Sequence, residues 1–101
     1  MAVALISHMP LIISQAIFKS AKDNKLALLL ASSGFRDMTR LACSNLDMAK
    51  DMLKYNKPNI EKAFDDFANS LNSLTSQYSK QIEEIKEQRE KMYSKEGKNI
   101  L

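Results

Sequence analysis

The chain has 101 residues, 45% of them hydrophobic and 27% charged, with a formal net charge of +3. That is room for one small domain with a thin core, and it is too apolar and too weakly charged for a disordered segment. Two glycines and two prolines are too few for a turn-rich β fold, a mild basic balance without a basic stripe and interleaved aromatics argues against a nucleic-acid binder, and one cysteine with one histidine excludes an internal disulfide and a zinc site.

The abundance of Leu, Ala, Lys, Met and Glu predicts an all-α fold. The stretch Met1–Phe18 is nearly uncharged but has no basic lead-in, and Ser7, His8, Pro10, Ser14 and Gln15 interrupt it. A buried core helix over Ala2–Lys22 fits this pattern better than a signal peptide or a membrane span, and a single unpaired cysteine is expected of a reducing, cytoplasmic compartment. Pro10 predicts a kink near Ile6–Met9 that leaves the Ile6 carbonyl without its usual donor. Ser7 and His8 then sit at an irregular point where a ligand or a second chain can be of use. An abrupt start within an apolar helix is expected of a piece of a longer chain, with Met1 an initiator added at the cut.

Asp23 or Asn24 predicts the cap of a second helix through Leu26–Ala31, closed by Ser32-Ser33-Gly34 with Gly34 in the left-handed region. Phe35–Ala42 is then a short helical turn or a tight loop, and Cys43 is expected to pack as a small apolar residue. Ser44-Asn45-Leu46-Asp47 has the spacing of a capping box and opens a third helix to about Tyr55. Asn56-Lys57-Pro58 stops that helix and starts the next.

From Pro58 onward Ile60, Phe64, Phe67, Leu71, Leu74 and Tyr78 recur at alternating steps of four and three, with Ile82, Ile85 and Met92 continuing after a phase shift. Such a stripe buries one helix seam against another helix. The hydroxyl cluster Ser73, Thr75, Ser76 and Ser79 marks a break, so residues 58–96 form one long amphipathic helix or two. The tail Lys80–Lys98 alternates charge, with Lys80/Glu84, Lys86/Glu90 and Glu87/Lys91 spaced for helical ion pairs, and is expected to be a solvated face.

No glycine-rich strand–turn–helix unit, phosphate loop or nucleophile elbow occurs. His8 alone supports a satisfied core histidine more readily than a triad. The sharper signal is Gly34-Phe35-Arg36-Asp37-Met38-Thr39-Arg40. Lysine appears twelve times but arginine only three, and two of the three arginines fall here. A guanidinium holds a carboxylate by two parallel hydrogen bonds, which lysine cannot do. If the segment is helical, Arg36 and Arg40 share a side and Asp37 can orient either; a surface ion-pair cluster is the plainer alternative.

These segments together, Ser7-His8-Met9-Pro10, Ser33-Gly34-Phe35-Arg36-Asp37-Met38-Thr39-Arg40 and Ala42-Cys43-Ser44-Asn45, resemble the carboxyl-terminal helical domain of the prephenate/arogenate dehydrogenase family. Met48 and Asn56 also fall where that family tends to have Met or Trp and Asn. The resemblance spans roughly residues 2–60, and Ala31-Ser32-Ser33-Gly34 looks most like cyanobacterial members, which are typically arogenate dehydrogenases preferring NADP. It implies a helical substrate-binding and dimerisation domain, residues 1–101, with a kinked first helix and a long or broken amphipathic helix at the end. The substrate, prephenate or arogenate, would lie between this domain and an amino-terminal Rossmann domain that is absent here. His8 and Arg40 would contact it, Arg36 and Asp37 would shape the pocket, and the Ser33-Gly34 turn would approach it. NADP or NAD would be held mainly by the other domain, with no cofactor, metal or catalytic residue expected on this chain and no activity expected of it alone. The partners implied are a second copy and the nucleotide-binding domain, not nucleic acid or membrane. Many members carry a second histidine after the proline where this chain has Leu11, which leaves prephenate against arogenate open.

Two other classes bear weighing. A small chorismate mutase is also an all-α dimer with cations around a dicarboxylate, yet the first helix here has no cation before Lys19. A non-enzymatic helical interaction module explains the Ile60–Ile85 stripe but not the paired arginines.

Overall fold

Pro10 has no backbone N–H, and its ring crowds the carbonyl four residues earlier, so a regular α-helix cannot run unbroken through this point. In the computed structural model, which describes residues 1–94, the chain widens into a π-helical turn over Ala4–His8, where the Met9 N–H donates to the Ala4 carbonyl. Helix α1 follows over Met9–Ala21 with Pro10 at its start, where the wider π-turn before it relieves the ring's clash and the missing donor costs one helical bond. The predicted kink therefore takes the form of a π-turn.

Asn24 caps α2, Lys25–Leu29, by accepting the Ala27 N–H at 2.9 Å. The chain then departs from the expected glycine cap. α2 ends with Leu30, Ser32 is extended, and Gly34 lies inside α3, Ser33–Met38, with no glycine among the described residues at positive φ. An extended Ser32 breaks the helix without any left-handed residue. Phe35 of α3 stacks on Phe18 near the end of α1, centroids 5.9 Å apart and planes 15° from parallel. After Thr39, a 3-10 turn over Arg40–Cys43 packs along α1. Ser44 closes this turn by donating to the Leu41 carbonyl at 2.6 Å, which leaves Asn45, not Ser44, as the cap of the next helix through the Met48 N–H.

Helix α4 spans Leu46–Ser76, with Asn56 out of helical geometry at φ −127° and ψ 20°. The break falls where Asn56-Lys57-Pro58 placed it. α4 ends at the hydroxyl cluster: Ser76 bonds back to the carbonyls of Asn72 and Ser73, and Thr75 to that of Asn72. Such bonds compete with the helical ladder. Gln77 leaves helical geometry, and α5 runs Tyr78–Met92, so the long helix is two. Of the charged pairs, Lys86–Glu90 forms at 3.9 Å, while Glu84 accepts from Gln88. Lys95, Glu96 and Lys98 of the charged tail lie outside the described residues.

The chain divides into two units, Met1–Asp65 and Asp66–Leu101. The core of the first consists of Ala4, Leu11, Met52, Ile60 and Ala63, flanked by Met9, Ile12, Leu41, Ala49 and Phe64. Around this thin core much apolar surface stays uncovered: Ile6 is 78% exposed, Leu29 80% and Leu30 70%. The first helix is thus less buried than its composition predicts, and Cys43 is exposed rather than packed. In the second unit Phe67, Leu71, Leu74 and Ile85 line an open groove of about 480 Å³.

One buried group is unpaired. Ser14 is 2% exposed and its Oγ has no hydrogen-bond partner among the described residues. A desolvated hydroxyl without a partner costs about 1–3 kcal/mol. Ser14→Ala removes that cost and improves helix propensity, so thermal unfolding followed by circular dichroism should show a Tm several degrees higher; a lower Tm would mean that Oγ has a partner.

Candidate functional site

The π-turn puts Ser7 and His8 on the wall of a cleft of about 260 Å³ in the first unit. Leu11 and Met52, both buried, line it together with Met48, and Ser44 adds a second hydroxyl. Leu41 of the 3-10 turn, the residue that follows Arg40, also lines it. The cleft is thus apolar, with three polar side chains at defined places. Pockets for small organic ligands have this character.

His8 is half-buried, and its Nδ1 lies 3.0 Å from the Nδ2 of Asn56. Asn56 is held in turn: its Oδ1 accepts from the Nδ2 of Asn59 at 2.7 Å. Sequence reasoning treated Asn56 as a helix stop and did not place it in the site. The available signal was a side chain that caps helices, two residues before a proline, in a chain with a single histidine.

The arginine segment differs from its expected geometry. α3 ends at Met38 and Thr39 adopts φ −106° and ψ 4°, so Arg36 and Arg40 belong to different elements and the shared side that one helix would give does not arise. Thr39 marks the break with its Oγ1, which donates to the Phe35 carbonyl at 2.7 Å. Asp37 pairs with Arg36 at 3.7 Å, both side chains being more than two-thirds exposed. Arg40, at the start of the 3-10 turn, is exposed and forms no ion pair with the described residues. Ser33 and Gly34 open α3 at the surface, and a Cβ on Gly34 would meet nothing within 4 Å. Leu11, the departure from the family pattern, lies in the cleft itself. No group of three potential metal ligands occurs among the described residues, and no helix among them is long and apolar enough to cross a membrane.

The described residues are all helical around a thin core, with uncovered apolar faces and a small polar-edged cleft. The family model for "Prephenate dehydrogenase, dimerization domain" matches residues 1–94, and the chain belongs to this family. It is 32% identical over 72 residues to the prephenate dehydrogenase of Bacillus subtilis (strain 168), an alignment covering 67% of this chain and 19% of that protein. It is also similar to the crystal structure of Synechocystis arogenate dehydrogenase, with a TM-score of 0.68 and 33% identity over 90% of this chain and 35% of that one. The chain therefore spans only a minor part of either relative.

The Arg36–Asp37 pair is too exposed to support the fold: such pairs contribute about 0–1 kcal/mol. Arg36→Ala and Asp37→Ala should each leave the chemical-denaturation midpoint almost unchanged, whereas a loss above about 1 kcal/mol would assign the pair a structural role.

Proposed function

We propose that this chain is the substrate-binding and dimerisation half of a prephenate or arogenate dehydrogenase. The observation that carries the reading is the placement of His8 on an apolar cleft beside the turn that bears an unpaired, exposed guanidinium, Arg40. An arginine fork fits a substrate carboxylate in two-pronged geometry, and the apolar floor of Leu11 and Met52 fits a carbon ring. The resemblance assigns Arg36, Asp37, Ser33 and Gly34 to the neighbourhood of the substrate, although none of them lines the cleft itself. Leu11 in place of a second histidine removes a polar group from the cleft, and arogenate or prephenate is accommodated without it.

The reaction of such an enzyme moves a hydride from the ring to NAD or NADP as the ring carboxylate leaves as carbon dioxide. The described residues do not fit the cofactor themselves: they form no strand, and their one glycine, Gly34, sits within α3, so there is no glycine-rich turn for a pyrophosphate. The cofactor is assigned to a nucleotide-binding domain, and the role of this chain is recognition and orientation. A second copy covers the exposed seam of Phe67 and Leu71, together with Phe64, Leu74 and the apolar first helix, in a cytoplasmic homodimer.

Arg40→Lys keeps the charge and removes the fork. A hydrogen bond to a charged group is worth roughly 1.5–3 kcal/mol, so in the enzyme assembled with its nucleotide-binding domain, substrate kcat/KM should fall roughly ten- to a hundred-fold. The cofactor KM should stay put. Arg89→Lys is the control, since Arg89 stacks on Tyr93 at 3.8 Å in the second unit. Unchanged substrate kinetics with a lowered Tm for Arg40→Lys would make Arg40 a structural residue and defeat the assignment.

A further inference from the structure

Two irregular backbone points, the π-turn over Ala4–His8 and the non-helical Asn56 within α4, meet at one side-chain contact across 48 residues of sequence. π-turns concentrate at functional sites, and each irregularity sacrifices regular helical bonding. The contact they share assigns a proton.

An asparagine that caps a helix ordinarily accepts the backbone N–H of the second or third helical residue with its Oδ1. Here the second is Pro58, which has no N–H to give. The third is Asn59, and its side-chain Nδ2 supplies the hydrogen bond to the Asn56 Oδ1 at 2.7 Å. With its oxygen engaged, Asn56 turns its NH2 toward His8 at 3.0 Å. An amide NH2 only donates, so the facing ring nitrogen must accept. A neutral imidazole that accepts at Nδ1 carries its hydrogen on Nε2. Nε2 has no partner among the described residues, and His8 lines the cleft.

We propose that Asn56, itself oriented by Asn59, is a positioning residue that holds His8 as the Nε2–H tautomer, so that the cleft is offered a hydrogen-bond donor aimed at a ligand oxygen. The relay Asn59–Asn56–His8 fixes both the ring plane and the location of the hydrogen before a ligand arrives. This deepens the substrate-binding role assigned above and rests on it for the identity of the ligand, whereas the tautomer follows from local geometry alone. A carbonyl, hydroxyl or carboxylate oxygen satisfies the Nε2–H, while a ligand that presents only donors there is rejected.

His8 is the only histidine of the 101-residue chain, so histidine labelled with nitrogen-15 gives a single imidazole spectrum with no assignment step. Long-range proton–nitrogen correlation of the neutral ring should show Nε2 protonated and Nδ1 bare. Asn56→Leu should relax this to an exchange-averaged mixture, and Asn59→Leu should do so in part, because Asn56 would then be free to turn its oxygen to the ring. A wild-type spectrum with the hydrogen on Nδ1 overturns the proposal without any variant having to fold. So does a tautomer unchanged in a folded Asn56→Leu protein. In the enzyme assembled with its nucleotide-binding domain, Asn56→Leu should raise the KM for prephenate or arogenate about tenfold, the effect of roughly one hydrogen bond, and leave the cofactor KM alone. An Nε2–H spectrum with an unmoved substrate KM also overturns the positioning role. Failure of the substrate assignment itself appears separately, in unchanged kinetics of Arg40→Lys.

Discussion

Two prolines that cannot donate a backbone hydrogen bond govern the first unit. Pro10 forces the π-turn that brings Ser7 and His8 to the cleft, and Pro58 follows the break that turns the Asn56 side chain away from ordinary capping. The His8–Asn56 contact ties these two points together, and Leu11 of α1 and Met48 and Met52 of α4 line the cleft. Without the π-turn the residues before Met9 would rotate in phase, and His8 would present a different face. The irregular backbone thus sets which side chains line the cleft.

The second determining feature is how little of the apolar surface the chain covers by itself. Five apolar residues are buried among those described, while large side chains on the first helix, on α2 and along the end of α4 stay exposed. A domain of this size buries a small fraction of its unfolded surface in any case. Exposed apolar faces of this extent belong to surfaces that meet other protein, as expected of a member of a dimerization-domain family.

The helical class, the break at Asn56, the second break in the hydroxyl cluster and the Asn24 cap were legible because each depends on local chemistry: a missing donor, a back-bonding hydroxyl, a capping amide. The errors are of another kind. Gly34 suggested a left-handed cap because glycine is cheap there, yet an extended Ser32 ended the helix with ordinary backbone angles. Ser44 and Asn45 are both good caps, and which one serves is decided by the 3-10 turn that Ser44 closes. Whether Arg36 and Arg40 share a helix face depended on the segment being one helix, and Thr39 interrupts it between them. Cys43 looked like a core residue by type and stands at the surface. The contact of Asn56 with His8 joins residues 48 positions apart, a tertiary relation that local pattern does not encode.

Association of two copies is the measurement on which the incomplete-core reading turns most directly. Sedimentation equilibrium of the chain at tens of micromolar protein should give the mass of a dimer. Changing Phe67 and Leu71, exposed members of the α4 seam, to Glu should yield monomer or aggregate, because charge is costly to bury in an apolar interface. A compact monomer for the unmodified chain, or a dimer indifferent to both substitutions, would contradict a seam closed by a second copy.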